Sequence, residues 1–563
     1  MAPGGTSCTT PRTHAFTDLG LFTVTVKVVD SNGREATISV PVTVITDTVF
    51  VSTSGTDSGT CGARSAPCRQ VEVGLDRAES LGKPKVYVAG GSYSRFTARS
   101  NIEVVGGLNA SWDGAGSVST VTGSAAGEPY GILVANVQGA KVKGFTVATP
   151  TVSGATTQGV LVRTNSGTAA KPIVIESVIV SGGTGNQPSG VLIRDASFVN
   201  LVNVNVTSPT SAGTGSSAYG LRVLNSTVGS TGSRFVALAG QPGASGTSTP
   251  PAAAGGGCNG NGGSVGGSPG SSCGGGAGRG GNGRGWYFTH GDAGSAGANG
   301  GGYGGAGGGR GGFLGQDAYS GEGGGGANNE LSTAGAGGAG GAAAPASGAG
   351  AVWVGNEGAD GSNGGTGRSG GGGGGGSGNA GFGTAGGGGS GGGGGVGGTR
   401  GTSGGQPGGG SFGVYAYQSS VIISGGTIVT AAGGNGGSGQ PGGSAGRGGN
   451  GGNGAYDDGG NEGGGGGGGG AGGGGGGGAG GGAGGPTVGL FLRGSSGDLI
   501  GGTAVTLGPA ASGGGGGPGG SGGGGGNGAW GDDGHWGGSG NGGYAGNNGS
   551  GGGTGLRVNK YSA

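Results

Sequence analysis

The chain has 563 residues, of which 181 are glycine and 9% are charged, and its formal net charge is +1. So neutral and charge-poor a chain has no electrostatic footprint for nucleic acid or an anionic membrane, and no stretch reaches the roughly 18 apolar residues of a membrane span. Collagen is excluded as well: there is no Gly-X-Y period, residues 463–470 are glycine throughout, and only 20 prolines are present.

In chain order, residues 14–45 carry two alternating apolar runs around Asn32 and Gly33, which predicts a hairpin. This stretch resembles the last strands of a PKD domain, a small immunoglobulin-like sandwich of secreted and surface proteins. Only about half of such a domain is covered, so residues 1–47 are expected to form a partial sandwich. Residues 49–93 combine an opening strand, a short amphipathic stretch at about Gln70–Leu81 and the string VYVAGGSY at 86–93. They resemble the opening segment of secreted right-handed parallel β-helix proteins, the pectate-lyase-like superfamily. That resemblance implies a capping helix and a first coil within residues 48–130, and is nearly silent on activity.

Strands of one type then recur, each opening on glycine: Gly131, Gly159, Gly190, Gly220, Gly413, Gly489 and Gly555. The first intervals are 28, 31 and 30 residues and the later ones 193, 76 and 66. A second apolar strand lies 14 to 16 residues after most of these glycines, at Phe145 and Val147, Val204 and Val206, Phe235, Ile428 and Val505. A period near 30 with short strands predicts a solenoid whose coils stack on their neighbours. The fold expected is all-β, a right-handed parallel β-helix with coils at 131–239, 413–432 and 488–507 and a last strand at 555–563. All seven glycines should open equivalent strands of one sheet, and Asn200, Asn203 and Asn205 should stack as side-chain ladders.

The long intervals begin after Ala239, Ala432 and Leu507, so three glycine-rich insertions, 240–412, 433–487 and 508–554, leave the solenoid from the same corner. They hold almost no apolar side chains, and hydrophobic burial cannot order them. Either they are flexible linkers or polyglycine II helices, threefold and extended, whose backbone groups pair with neighbouring helices. The ordered reading is favoured by where the side chains fall. In the second insertion a cluster of Tyr456, Asp457, Asp458 and Glu462 lies between 23 residues before it (433–455) and 25 after it (463–487). In the third, Trp530, Asp532, Asp533, His535 and Trp536 lie near the middle. Both read as hairpins of two glycine legs, each reaching roughly 60–75 Å, with a decorated tip. The first insertion has several clusters, including Trp286, Tyr287 and Phe288, and is expected to form several legs. The arrangement is similar to the glycine-rich tip adhesins of certain tailed phages and to mycobacterial glycine-rich repeat surface proteins, with no residue-level motif shared.

Of five cysteines, Cys61 with Cys68 and Cys258 with Cys273 are spaced as local disulfides, leaving Cys8 over. An extracellular or cell-surface location follows as an expectation, although no signal peptide occurs in residues 1–30; the export signal is expected upstream.

Catalytic chemistry finds little support. Arg163, Arg194, Asp195 and Arg222 sit on neighbouring coils, but a lyase needs grouped carboxylates, and these four read as solvated edge residues. His14, His290 and His535 are scattered, and no nucleophile constellation or phosphate loop occurs. No metal site or cofactor is expected beyond weak calcium binding by Asp457 with Asp458 or Asp532 with Asp533. The function expected is a structural or adhesive surface protein, not an enzyme. Its tip residues Trp286, Tyr287, Phe288, Tyr456, Asp457, Asp458, Trp530, Asp532, Asp533 and Trp536 would meet a surface glycan or protein ligand, or neighbouring copies in an assembly. The alternatives are a lyase-like polysaccharide-degrading enzyme and an ice-binding protein. Springtail antifreeze proteins pack polyglycine helices, but their flat face of regular small residues is not evident in this sequence.

Overall fold

The computed structural model describes residues 20–44, 46–264, 279, 282, 333–340, 342, 351–367, 369, 386–455, 466–531 and 538–563. A separate hairpin pairs Gly20–Val29 with Glu35–Val44. Gly33 supplies the positive φ its turn needs, and Asp30 Oδ1 accepts the backbone N–H groups of Asn32 and Arg34. Val26, Val28, Ile38 and Val40 stay exposed, since two strands alone offer no second layer to bury them.

From Thr48 onward the chain visits three parallel sheets in rotation. The first has nine strands, from Thr48–Val51 to Ser496–Ile500. The second has eight, from Gly91–Ser94 to Ala504–Leu507, and the third eight, from Phe96–Thr97 to Arg557–Ser562. From Lys85 on, each circuit lays its strands beside those of the circuit before, in parallel register. The fold is therefore all-β with parallel strands, and the described residues hold one α-helix. That helix, Val71–Ser80, starts after Gln70 and buries Val71, Gly74, Leu75 and Ala78 over the first strands. Gly74 is required there because a methyl group would overlap Val51.

The core is built from aligned rows. In the third sheet Val134, Val162, Ile193, Val223, Ala416 and Leu492 stand opposite one another, all buried in one cluster. Six of the recurring glycines likewise form a row: Gly131, Gly159, Gly190, Gly220, Gly413 and Gly489. Their role is close approach. A methyl on Gly131, Gly159, Gly190 or Gly413 would overlap Val147, Val180, Val206 or Ile428 of the second sheet. On Gly220 and Gly489 it would lie 3.3 Å from Phe235 and 2.6 Å from Val505. The 14-to-16-residue offset reflects this contact, which recurs once per circuit and spans 21 residues only between Gly159 and Val180.

Two expectations need correction. Gly555 is not the seventh member of the row: Val488 pairs with Val558 and Leu490 with Lys560, which sets Gly489 opposite Asn559. Gly555 lies four residues earlier, and a methyl there would overlap the Gly485 carbonyl oxygen, so it belongs to the last glycine leg. Asn200 and Asn205 do not stack on asparagines, since their partners are Val174 and Gly229, and Ile179 and Arg234. On the sheets a ladder of serines is present instead. Ser226, Ser419 and Ser495 each donate a hydroxyl to the carbonyl two residues back. They accept the N–H of Ala196, Ser226 and Ser419, respectively, one circuit before.

The third sheet differs from the other two in being buried on both faces. Ser189–Arg194, Ala218–Leu224 and Ser411–Tyr417 are buried almost throughout, whereas Val199–Val202 and Thr427–Thr430 alternate. A second apolar cluster covers the outside, with Leu161, Leu192, Tyr219, Phe412, Tyr415, Phe491 and Trp353. Rings stack from circuit to circuit, Tyr415 on Phe491 at 5.1 Å and Phe491 on Tyr561 at 5.4 Å. Near-continuous apolar runs are what a strand buried on two sides requires. Gly159→Ala is expected to cost about 1–3 kcal/mol of stability by overpacking. Combined with Val180→Ala, the loss should be smaller than the sum of the single variants, as urea titration followed by circular dichroism would show.

Candidate binding surface on the glycine legs

The glycine segments leave between the second and third sheets and run as straight legs bonded to one another through their backbones. Outgoing legs 240–264, 433–455 and 508–530 continue from second-sheet strands. Incoming legs 386–410, 466–486 and 538–556 feed third-sheet strands. Two further described legs, 333–340 and 356–367, belong to the first insertion.

Bonding repeats at every third residue. Gly467, Gly470, Gly473, Gly476, Ala479, Gly482 and Gly485 donate to 433–455; Gly469, Gly472, Gly475, Gly478, Gly481 and Gly484 donate to 538–556; Gly474, Gly477, Gly480 and Ala483 donate to 356–365. The same leg accepts from 386–410, from 333–340 and from 508–530. Leg 466–486 therefore has six neighbours, alternately acceptors and donors. Those six also bond to one another in a closed ring, and 240–264 lies outside it against 433–455 and 386–410.

None of the described leg glycines has a positive φ. Glycine is needed for approach: a methyl on Gly467, Gly470, Gly473 or Gly476 would overlap the carbonyl oxygen of Ser390, Gly393, Val396 or Thr399. From 466 to 485 only Ala471, Ala479 and Ala483 interrupt the glycine, and all three are buried.

The rim legs carry side chains at period three. Along 433–455 these are Asn435, Ser438, Pro441, Ser444, Arg447, Asn450 and Asn453, and along 508–530 they include Ser512, Pro518, Ser521, Asn527 and Trp530. Cross-leg bonds set them in rows, since Gly436, Gly442, Gly451 and Gly454 donate to the carbonyls of Ser512, Pro518, Asn527 and Trp530. Legs 240–264, 433–455 and 508–530 thus present a flat, regular face. The sequence reading did not find this face, although the period-three asparagines, serines and prolines of 433–455 signal it.

At the far end the insertions converge. Gly263 donates to Asn453, Gly387 to Ser264, Ala455 to Gly387 and Gly454 to Trp530, at 2.9, 3.3, 3.0 and 3.0 Å. Trp530 is 45% exposed there and donates its backbone N–H to Asn453 Oδ1 at 3.2 Å. The flanks of the tip clusters are thereby brought together. The clusters themselves, Trp286, Tyr287, Phe288, Tyr456, Asp457, Asp458, Asp532, Asp533 and Trp536, lie outside the described residues. Cys61 and Cys68 form a disulfide, S–S 2.00 Å; Cys258 is disulfide-bonded, while Cys273 and Cys8 lie outside the described residues.

The coil arginines are not the solvated residues expected. Arg163 and Arg194 both bind the carboxylate of Glu128, the latter at 2.8 Å, and all three side chains are about two-thirds buried. Arg222 is buried, with Nε and Nη2 donating to the Ala351 carbonyl and the guanidinium 4.8 Å from the Tyr219 ring centre. The first insertion returns over the third sheet at Ala351 to Trp353, which sequence spacing could not reveal. Burial pushes the Tyr219 and Tyr415 hydroxyls well up, and Tyr219 Oη bonds Gln187 Oε1 at 3.2 Å. A polar groove of about 790 Å³ lies at the corner between the third and first sheets, lined by Asn165, Asp195, Asn225, Gln418 and Phe198. Among the described residues no cluster of His, Cys, Asp or Glu could hold a metal ion, and no helix is long and apolar enough to cross a membrane. In comparisons with known proteins no family model matches the chain, and no curated protein or solved structure proved similar to it.

Adjacent glycines separate close approach from mere composition. Gly523→Ala drives a methyl into the Gly446 carbonyl, whereas Gly524 faces open space with Arg447 Cγ at 3.9 Å. The first change should destabilise the legs by about 1–3 kcal/mol and the second should be neutral, measured by denaturant titration with amide exchange.

Proposed function

We propose that this chain is an extracellular structural and adhesive protein. In this reading the three sheets are the faces of a right-handed parallel β-helix, and the legs are polyglycine II helices that carry tip loops away from it to a surface glycan or protein. The single observation that carries the reading is convergence: all three insertions leave one corner, and their described far ends meet at 264, 387, 455 and 530. A flexible linker has no reason to keep period-three bonding along some 20 residues. The exposed Trp530 side chain, whose backbone N–H is held by Asn453 Oδ1, supplies a flat apolar surface at the far end, which suits a sugar or a partner side chain.

The regular face of the outgoing legs favours the second reading, ice binding, because evenly spaced small side chains on a flat face are what that activity uses. Arg447 and Trp530 interrupt it, and we rank it second.

The test is binding of the purified chain to intact cells and to a glycan array. Trp530→Ala with Trp536→Ala should reduce retention at least about tenfold, the loss of a buried aromatic anchor, with circular dichroism unchanged. Undiminished binding would sink the tip assignment. Rapid proteolysis within 433–455 or 508–530 would sink the ordered legs. Thermal hysteresis of the unmodified chain would instead support the second reading.

A further inference from the structure

The side chains of the rim legs do more than face solvent. Asn450 donates its backbone N–H to Asn259 Oδ1 at 2.9 Å, and Asn527 donates its own to Asn450 Oδ1 at 2.9 Å, a ladder across three legs. Ser512 donates to Asn435 Oδ1 at 3.0 Å, Trp530 to Asn453 Oδ1 at 3.2 Å and Ser438 to Ser245 Oγ at 3.2 Å. Elsewhere Gly519 donates to Asn548 Oδ1 and Arg400 to Asn363 Oδ1, both at 2.9 Å, and Asn261 to Ser390 Oγ at 2.7 Å. In the interior such N–H groups bond the carbonyl of a further leg. At these rim positions that leg is missing, and the side-chain oxygen of an adjoining leg takes its place. Pro441 and Pro518 reach the same end by having no N–H.

We infer that these side chains terminate the glycine bundle: they satisfy the outward donors of Ser438, Asn450, Ser512, Asn527 and Trp530, which would otherwise bond a further leg, and so hinder a second copy of this chain from adding its legs to the 240–264, 433–455, 508–530 face. An open row of backbone donors on an extended segment is a template for another chain, as at the edge of a β-sheet. Asparagine suits the task because its carboxamide oxygen is held on a short stem. The inference rests on the hydrogen bonds alone and is independent of any ligand at the tips.

The test uses the full chain carrying Asn435→Gly, Asn450→Gly and Asn453→Gly together, exposed positions whose replacement leaves the leg backbone free to keep its course. Amide exchange at Ser512, Asn527 and Trp530 should rise about tenfold, the value of one hydrogen bond, and sedimentation velocity should show concentration-dependent self-association absent from the parent. A matched variant with Asp at the three positions keeps an acceptor oxygen and should retain slow exchange. Exchange unchanged by the glycine set, a glycine variant as monomeric as its parent, or equal self-association of the parent would each overturn the inference.

Discussion

Everything beyond the three sheets depends on one constraint: a backbone N–H may donate to the carbonyl of the next leg only if no Cβ stands between them. Buried backbone groups must find partners, and the insertions have no apolar side chains with which to order themselves by burial. The solution is mutual: each leg is the other legs' solvent. Leg 466–486 spends its donors on three neighbours and its acceptors on the other three, and its sequence is glycine and alanine alone from 466 to 485. Composition and coordination number are one quantity seen twice. Where six neighbours press in, only glycine and alanine occur; where neighbours are absent, larger side chains return at intervals of three or multiples of three.

The legibility of the sequence follows from the same physics. The row from Gly131 to Gly489 was readable because each circuit repeats one contact, glycine against Val147, Val180, Val206, Phe235, Ile428 or Val505, and a repeated contact leaves a period. Gly555 misled because its Gly-Leu-Arg-Val string copies that of Gly220 while the strand pairing runs four residues later. The two-sided burial of the third sheet was also present, in unbroken strings such as Gly190-Val191-Leu192-Ile193, but what covers it was not. The bond from the Trp353 backbone N–H to Tyr219 Oη and the Arg222 contact to Ala351 join residues 129 or more positions apart, with no period to announce them. Glu128, which ties Arg163 to Arg194, lies in a loop without repeat. Periodic contacts are legible in one sequence and solitary ones are not.

The β stack and the legs are parts of one hydrogen-bonded array. Ala431 donates to Ala237 and Gly508 to Thr430, then Gly240 donates to Ala432, so the second sheet's ladder passes without a break into the outgoing legs. On the return, Gly408 donates to Ala483 and Ser411 to Pro486, and Gly484 to Gly553 and Thr487 to Leu556, so the incoming legs pass into the third sheet. Strand spacing, about 4.8 Å, therefore sets leg spacing, and only the residue interval of the bonds changes, from two to three.

This continuity accounts for why isolated glycine runs can be ordered here. The cost of aligning an extended segment is conformational entropy, greatest for glycine, and no single leg recovers it. A preformed row of three strands delivers three legs already adjacent, parallel and in register, so each new bond forms between groups the sheets have placed. The length of the legs then costs little in closure, because their bases are fixed. The sheets thus act as the nucleus of the array and the legs as its propagation.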